Sequence, residues 1–362
     1  MESMVTMDLD SLHNFYKGKR VLVTGHTGFK GSWLCHILKQ FGSEIYGYSL
    51  APEKESLYNI SGLDSQLVSH IGDIRNAKEL YDFYEFAKPE IVLHLAAQPL
   101  VRRSYEEPAY TYETNVLGTV NILECLRNHP CAVSFLNVTT DKVYLNKEWP
   151  WGYREDERLD GFDPYSNSKS CSELVTQTYK RCFFSNKDSL SISTARAGNV
   201  IGGGDFATDR IIPDCVRAAV GGQAIVVRNP NSTRPYQHVL EPLFAYLLIA
   251  ARQADTPNLA GAYNVGPDDA DCFRTGDLVD AFVKAWGNGL RWINQNDGGP
   301  HEANFLKLDN SLIKSRMGWH PVWNVSDAID RIVEWTKALI AGEDISVIMK
   351  KQIKKYIDDS KR

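Results

Sequence analysis

The stretch VLVTGHTGFKGSWLC, residues 21–35, constrains the fold more than any other part of the chain. A β-branched run leads into three glycines, Gly25, Gly28 and Gly31, and an apolar run of helical character follows. Each glycine has its own task in such a turn. Gly25 permits the sharp exit from a strand, Gly28 lets a pyrophosphate approach the backbone, and Gly31 lets helix and strand pack closely. The helix start then offers unpaired N–H groups and the positive end of its dipole. A tight turn with no ligand uses glycines as well; the strand before and the helix after favour the nucleotide-binding reading. His26, Phe29 and Lys30 lie inside the loop and count with the glycines as candidate cofactor-binding residues. His26 either approaches a ribose or faces solvent.

The first half continues in the same rhythm. RVLVTG, EIYGYSL, LVSHIGDI, EIVLHLAA, AVSFLNVTT and LSISTARAGNV read as six strands. Helical patterns separate them, among them residues 31–42, 79–89, 111–129 and 164–185. Alternation at this spacing predicts an α/β fold, a Rossmann-type doubly wound parallel sheet, with ligands at the carboxyl ends of the strands. After about residue 200 turn residues cluster, as in IGGGDFATD, RNPNSTRP and NDGGPHEAN. We expect a nucleotide-binding domain over 1–198 and a smaller mixed α/β substrate lobe over 199–362, with 236–260 returning to the first domain as a helix. The tail MKKQIKKYIDDSKR reads as a charged, solvated helix.

Bulk properties narrow the function. A net charge of −5 argues against nucleic acid as a partner. The N-terminus lacks an apolar core of signal-peptide length, and the apolar run 243–251 is too short to span a bilayer. Seven cysteines without a C-x-x-C pair read as reduced thiols, so the expected setting is cytoplasmic with no membrane association. The nine histidines show no zinc-ligand spacing, and no metal is expected.

The chemistry concentrates in two places. Residues 165–169 read YSNSK, which puts Tyr165 and Lys169 on one helix face. An ammonium near a phenol favours the phenolate, so Tyr165 is expected to have a lowered pKa and to act as a base toward a hydroxyl. Thr139 and Thr140 end strand five, and Asp141 and Lys142 follow. Thr140 is placed to hydrogen-bond the hydroxyl that Tyr165 deprotonates.

With glycine loop, strand-end threonine and Tyr-x-x-x-Lys in this order, the chain resembles the extended short-chain dehydrogenase/reductase superfamily over nearly its whole length. HLAAQ (94–98) and TNVLGT (114–119) add to that likeness. Within it, VTGHTGFKGSWL, TTDKVY, RAGNVIGGGDF, DRIIPD, RPYQHVLEPL and HEANFLKLD are most similar to the CDP-glucose 4,6-dehydratases. The resemblance implies NAD as cofactor, CDP-glucose as substrate and loss of water across sugar carbons 5 and 6. It implies a catalytic set of Thr140, Asp141, Lys142, Tyr165 and Lys169, with Asp141 as acid and Lys142 as carbon 5 base or as enolate stabiliser. The related dTDP-glucose enzymes carry Asp-Glu where this chain has Asp141-Lys142.

On the cofactor side it adds Asp73 and Ile74 after strand three and Ala96 after strand four. No Asp or Glu ends strand two before Glu53, so the usual ribose contact is missing; no arginine is there to favour a 2′-phosphate. For the nucleotide sugar it implies Asn199, Arg210, Arg234 and His238, with Arg228 nearby. The stretch VRRS (101–104) is left open between cofactor phosphate, substrate and a neighbouring subunit. A homodimer is implied through the helices near 109–128 and 164–185, with pairing into tetramers left open. Another nucleotide-sugar dehydratase or epimerase, and a non-catalytic NAD-sensing protein, are the rival readings.

Overall fold

The computed structural model describes residues 9–184, 190–295 and 304–361. Seven parallel strands form the main sheet: β1 Arg20–Thr24, β2 Glu44–Ser49, β3 Val68–Ile71, β4 Ile91–His94, β5 Ser134–Thr140, β6 Ser191–Ala197 and β7 Ala262–Val265. Their order is β7-β6-β5-β4-β1-β2-β3, so the chain reverses direction across the sheet between β1 and β4. Doubly wound sheets bind ligands at that switch point, outside the strand carboxyl ends. The first six strands follow the sequence reading. β7 was not foreseen; residues 198–261 separate it from β6, with which it pairs from Ala262–Thr194 to Val265–Ala197.

The longer helices are α1 Leu9–Tyr16, α2 Phe29–Gln40, α3 Ala77–Ala87, α4 Gly118–Asn128, α5 Pro164–Tyr179, α6 Ile211–Val220, α7 Leu240–Asp255, α8 Thr275–Trp286, α9 Val325–Ile340 and α10 Ile345–Asp359. Two apolar cores sandwich the sheet. One joins α1, α2, α7 and α10 to the face carrying Val21, Val23 and Leu93; the other joins α3, α4 and α5 to the face carrying Leu22, Val92 and Phe135. Helix α7 is buried along nearly its full length and packs on β5 and β6. A third core, built on Ile212, Leu278, Phe282 and Ile329, holds the smaller lobe around the paired strands Ile225–Val227 and Trp292–Asn294.

The charged tail departs from its reading. Helix α10 buries Ile345, Ile348, Met349, Ile353 and Tyr356, and the Tyr356 ring stacks on Phe244 of α7 at 4.7 Å. These apolar positions recur at helical spacing and form a core-facing stripe; the lysines between them occupy the wet side. Among the described residues no helix is long and apolar enough to cross a membrane.

Candidate active site

The glycine turn shows which of its glycines the fold itself requires. Gly25 has φ +76°, and a Cβ there would meet Ala96 N at 2.8 Å. A Cβ on Gly31 would collide with the Gly25 carbonyl. Gly28 is different: it is exposed, and its nearest neighbour for a Cβ is Gly25 O at 3.4 Å. The fold does not need glycine there, whereas a ligand lying on the backbone does. No side chain caps α2, so its first N–H groups point outward beside Gly28. The turn is pinned from below by Thr24, whose hydroxyl pairs with His94 Nδ1 at 2.7 Å and accepts from Leu95 N and Ala96 N.

His26 neither reaches the turn's outer face nor meets solvent. It is fully buried beneath Gly47, its Nε2 pairs with Ser69 Oγ at 2.8 Å, and its ring lies edge-on to Tyr58. Burial pushes its pKa down to about 4, so it is neutral. Asp73 is half-buried and holds Arg75 through both carboxylate oxygens, which keeps its pKa low. Ile74 is buried beside Gly118 and Ala96 is half-buried beside Gly25.

The second cluster sits at the end of β5. Thr140 Oγ1 donates to Asp141 Oδ1 at 2.9 Å; Lys142 Nζ lies 3.3 Å from the same oxygen and donates to Asn199 Oδ1 at 3.2 Å. Asp141 is fully buried, and its Oδ2 has no hydrogen-bond partner. A buried carboxylate oxygen without a donor is costly and marks a place where a polar ligand group fits.

Tyr165 and Lys169 come from the first turns of α5, which begins at Pro164 and is capped by Asp163 accepting from Ser166 N. Tyr165 is buried beside Thr140. The expected lowering of its pKa is corrected: burial pushes the phenol up to about 12, against the opposing pull of Thr140 and of the Arg210 charge. Lys169 does not offset this, because its ammonium donates to Val138 O at 3.1 Å and is itself driven down to about 7 by burial and by the charge of Lys30. Lys30 leaves the glycine turn toward the same centre. Burial, then Arg210, brings it to about 8, and its ammonium stands 6.0 Å from the Tyr246 ring centre.

The nucleotide-side residues divide. Asn199 meets Lys142 as described, and Arg210 reaches Asp205 at 3.0 Å, close enough to influence both Tyr165 and Lys30. Arg234 is buried on a short strand, Thr233–Pro235, paired with Cys272–Arg274, and donates to Thr233 O. His238 lies in the core instead, fully buried with its ring edge-on to Trp33 and Trp323, and accepts from Leu240 N through Nδ1. Of the segment HEANFLKLD, residues 301–303 lie outside the described residues; Asn304 accepts from Thr233 N beside Arg234. Among the described residues no group of three or more His, Cys, Asp or Glu is placed to hold a metal ion.

Three supports were missed in the sequence. Glu173 and Arg196 form a fully buried ion pair at 3.0 Å that also binds Thr139 and Thr194. Burial raises the Glu173 pKa, but Arg196 and the two hydroxyls outweigh it and the net direction is down. Residues 165, 169 and 173 are each four apart, so one face of α5 carries phenol, ammonium and carboxylate in turn. Asn115 sits in a π-helical turn, Glu113–Leu117, and bonds Gln98 and Ser168, tying the β4 loop to α5. Tyr246 of α7 brings a buried hydroxyl without a hydrogen-bond partner near Tyr165 and Asp141.

A doubly wound sheet with this glycine turn and this tyrosine–lysine helix face defines a short-chain dehydrogenase/reductase-type protein. The family profile described as GDP-mannose 4,6 dehydratase matches residues 22–332, and the chain belongs to that family. The chain is similar to a CDP-glucose 4,6-dehydratase of Salmonella typhimurium, 46% identical over 96% of this chain and 99% of the relative. A dTDP-glucose 4,6-dehydratase of Escherichia coli is 26% identical over 87% of this chain and 92% of its own. Among solved structures, a UDP-glucose 4-epimerase of Thermotoga maritima with UDP-glucose superposes with a TM-score of 0.77 at 20% identity, covering 88% of this chain and 99% of the other. That likeness establishes the shared fold.

Proposed function

We propose that the chain is a hydro-lyase that converts CDP-glucose to CDP-4-dehydro-6-deoxyglucose, with NAD as a cofactor restored each turnover. The carrying observation is the convergence of Tyr165, Thr140, Asp141, Lys142 and Asn199 at the carboxyl ends of β5 and β6, beside the glycine turn. The 46% identity to a named CDP-glucose 4,6-dehydratase supports the substrate and the reaction.

The residues fit the cofactor. Exposed Gly28 and the uncapped start of α2 suit a pyrophosphate, and Asp73, Ile74 and Ala96 line the same edge of the sheet. When bound, NAD takes a hydride from sugar carbon 4 and returns it to carbon 6. Tyr165 accepts the proton of the 4-hydroxyl, which Thr140 holds by a hydrogen bond. The phenol needs help to ionise from about 12, and added positive charge in this buried place supplies it. Lys142 removes the proton at carbon 5 or electrostatically stabilises the enolate, Asp141 delivers a proton to the departing 6-hydroxyl, and a proton returns to carbon 5 as the hydride reaches carbon 6. Lys142 Nζ already stands 3.3 Å from Asp141 Oδ1, so a proton has a short path between them. Asn199, Arg210 and Arg234 serve the diphosphate. Product formation is tested by incubating the chain and NAD with CDP-glucose, UDP-glucose or dTDP-glucose and weighing the products. Loss of one water from CDP-glucose alone is expected; loss from another nucleotide sugar in its place overturns the substrate assignment.

The same reading includes a homodimer. Leu117, Leu174 and Phe183 stand exposed on the two helical stretches 108–128 and 164–184, an apolar set suited to an isologous four-helix contact. Sedimentation at micromolar concentration should give a dimer, and Leu117→Glu with Leu174→Glu a monomer; a monomeric native chain refutes this part.

A further inference from the structure

Two arginines, one after β4 and one from the smaller lobe, converge on the carboxylate that precedes Arg210. Arg102 lies in the short helix Val101–Glu106, which follows the carboxyl end of β4. Arg228 follows the lobe strand Ile225–Val227. Arg228 reaches Asp209 Oδ1 at 2.6 Å, and Arg102 Nε lies 3.7 Å from the same oxygen. Arg228 also stands 3.8 Å from Asp214. All three members of the Arg102–Asp209–Arg228 bridge remain partly open to solvent.

The backbone at this carboxylate is unusual. Asp209 has φ +60°, the left-handed region that a non-glycine residue seldom adopts. Its neighbour Arg210 turns the other way, onto Asp205 and toward Tyr165 and Lys30. Residues 209 and 210 thus send one side chain to a pair of guanidinium groups and the next into the catalytic centre. A single oxygen shared by two guanidinium groups from distant parts of the chain repeats how such groups hold a phosphate oxygen.

We propose that Arg102 and Arg228 are further diphosphate-binding residues of the nucleotide-sugar site, and that Asp209 stands in for a phosphate oxygen until nucleotide displaces it. This rests on the reading of the protein as a nucleotide-sugar enzyme. The stand-in makes the site selective. A dianionic or trianionic diphosphate displaces the carboxylate, whereas an uncharged nucleoside gains nothing from the arginines.

The test is calorimetric titration of the full chain with CDP, UDP, dTDP and cytidine. Asp209→Asn keeps the shape and removes the charge; it should tighten CDP binding by roughly threefold to tenfold and leave cytidine unchanged. Arg102→Gln and Arg228→Gln should each weaken CDP by about tenfold, again without effect on cytidine. In the double variant Asp209→Asn/Arg228→Gln the gain from the first change should shrink or vanish. Equal or weaker CDP binding by Asp209→Asn overturns the proposal, as do arginine variants that weaken cytidine as much as CDP. If the unaltered chain prefers UDP or dTDP, the substrate assignment falls and the variants are judged on that nucleotide. If it binds no nucleoside diphosphate, both readings fall.

Discussion

Lys169 is a charge the fold holds at a cost, and Lys169→Met should therefore stabilise the chain in the absence of nucleotide. The side chain is 5% exposed. Burial, reinforced by Lys30, lowers its pKa from 10.5 to about 7. An unfolded chain binds that proton below about pH 10.5, and the folded chain resists it until pH 7. Folding is then penalised increasingly as pH falls from 10.5 to 7, and the penalty levels off below 7. The full gap corresponds to a ceiling of about 5 kcal/mol, with roughly half of it left near pH 9. Removing the ammonium also strips a donor from the Val138 carbonyl, which gives back about 1–3 kcal/mol. A net gain of about 2 kcal/mol at pH 7 is expected, shrinking toward zero or reversing by pH 10. Urea unfolding of both proteins at pH 6, 7, 8 and 9.5 reads it directly. A variant less stable than the parent at pH 7, or a difference that does not change with pH, refutes the reasoning. The same substitution should abolish turnover, as expected where function is held against stability.

Gly28→Ala should change stability by less than about 1 kcal/mol yet weaken NAD binding at least about tenfold, because the added methyl fills only the ligand's space. Gly31→Ala, which drives a methyl into the Gly25 carbonyl, should destabilise by about 3 kcal/mol; chemical unfolding and cofactor titration separate the two. Lys142→Met should slow solvent exchange of the carbon 5 proton by about 10² or more while carbon 4 oxidation in a single turnover stays measurable; unchanged exchange removes Lys142 as the base. Arg196→Met should cost about 3–5 kcal/mol in urea unfolding, since it leaves Glu173 charged and buried at zero exposure.

The parts legible in the sequence were those written in local pattern. Six strands, the glycine turn and the Tyr165–Lys169 face each sit within a few residues of their defining signal. β7 did not, because four residues, AYNV, carry too little pattern and its pairing with β6 is set by the intervening α7. The helix α10 stripe was present at helical spacing but masked by its lysines. The fate of His26 depended on Gly47 and Ser69, which only the packing of β2 and β3 brings under it. The Tyr165 pKa could not be read from a lysine four residues away, since the direction of that ammonium and the depth of burial decide it. Glu173 was readable: it extends the Tyr165–Lys169 face by one more turn, and Arg196 is the lone charge in the strand SISTARA.

The central claim is that one site oxidises carbon 4, eliminates water and reduces carbon 6 of the same sugar. CDP-glucose carrying deuterium at carbon 4, incubated with the chain and unlabelled NAD, tests it most directly. The account predicts deuterium at carbon 6 of a product one water lighter, transferred within each molecule. Deuterium retained at carbon 4, or lost to the bulk with no label at carbon 6, would contradict it.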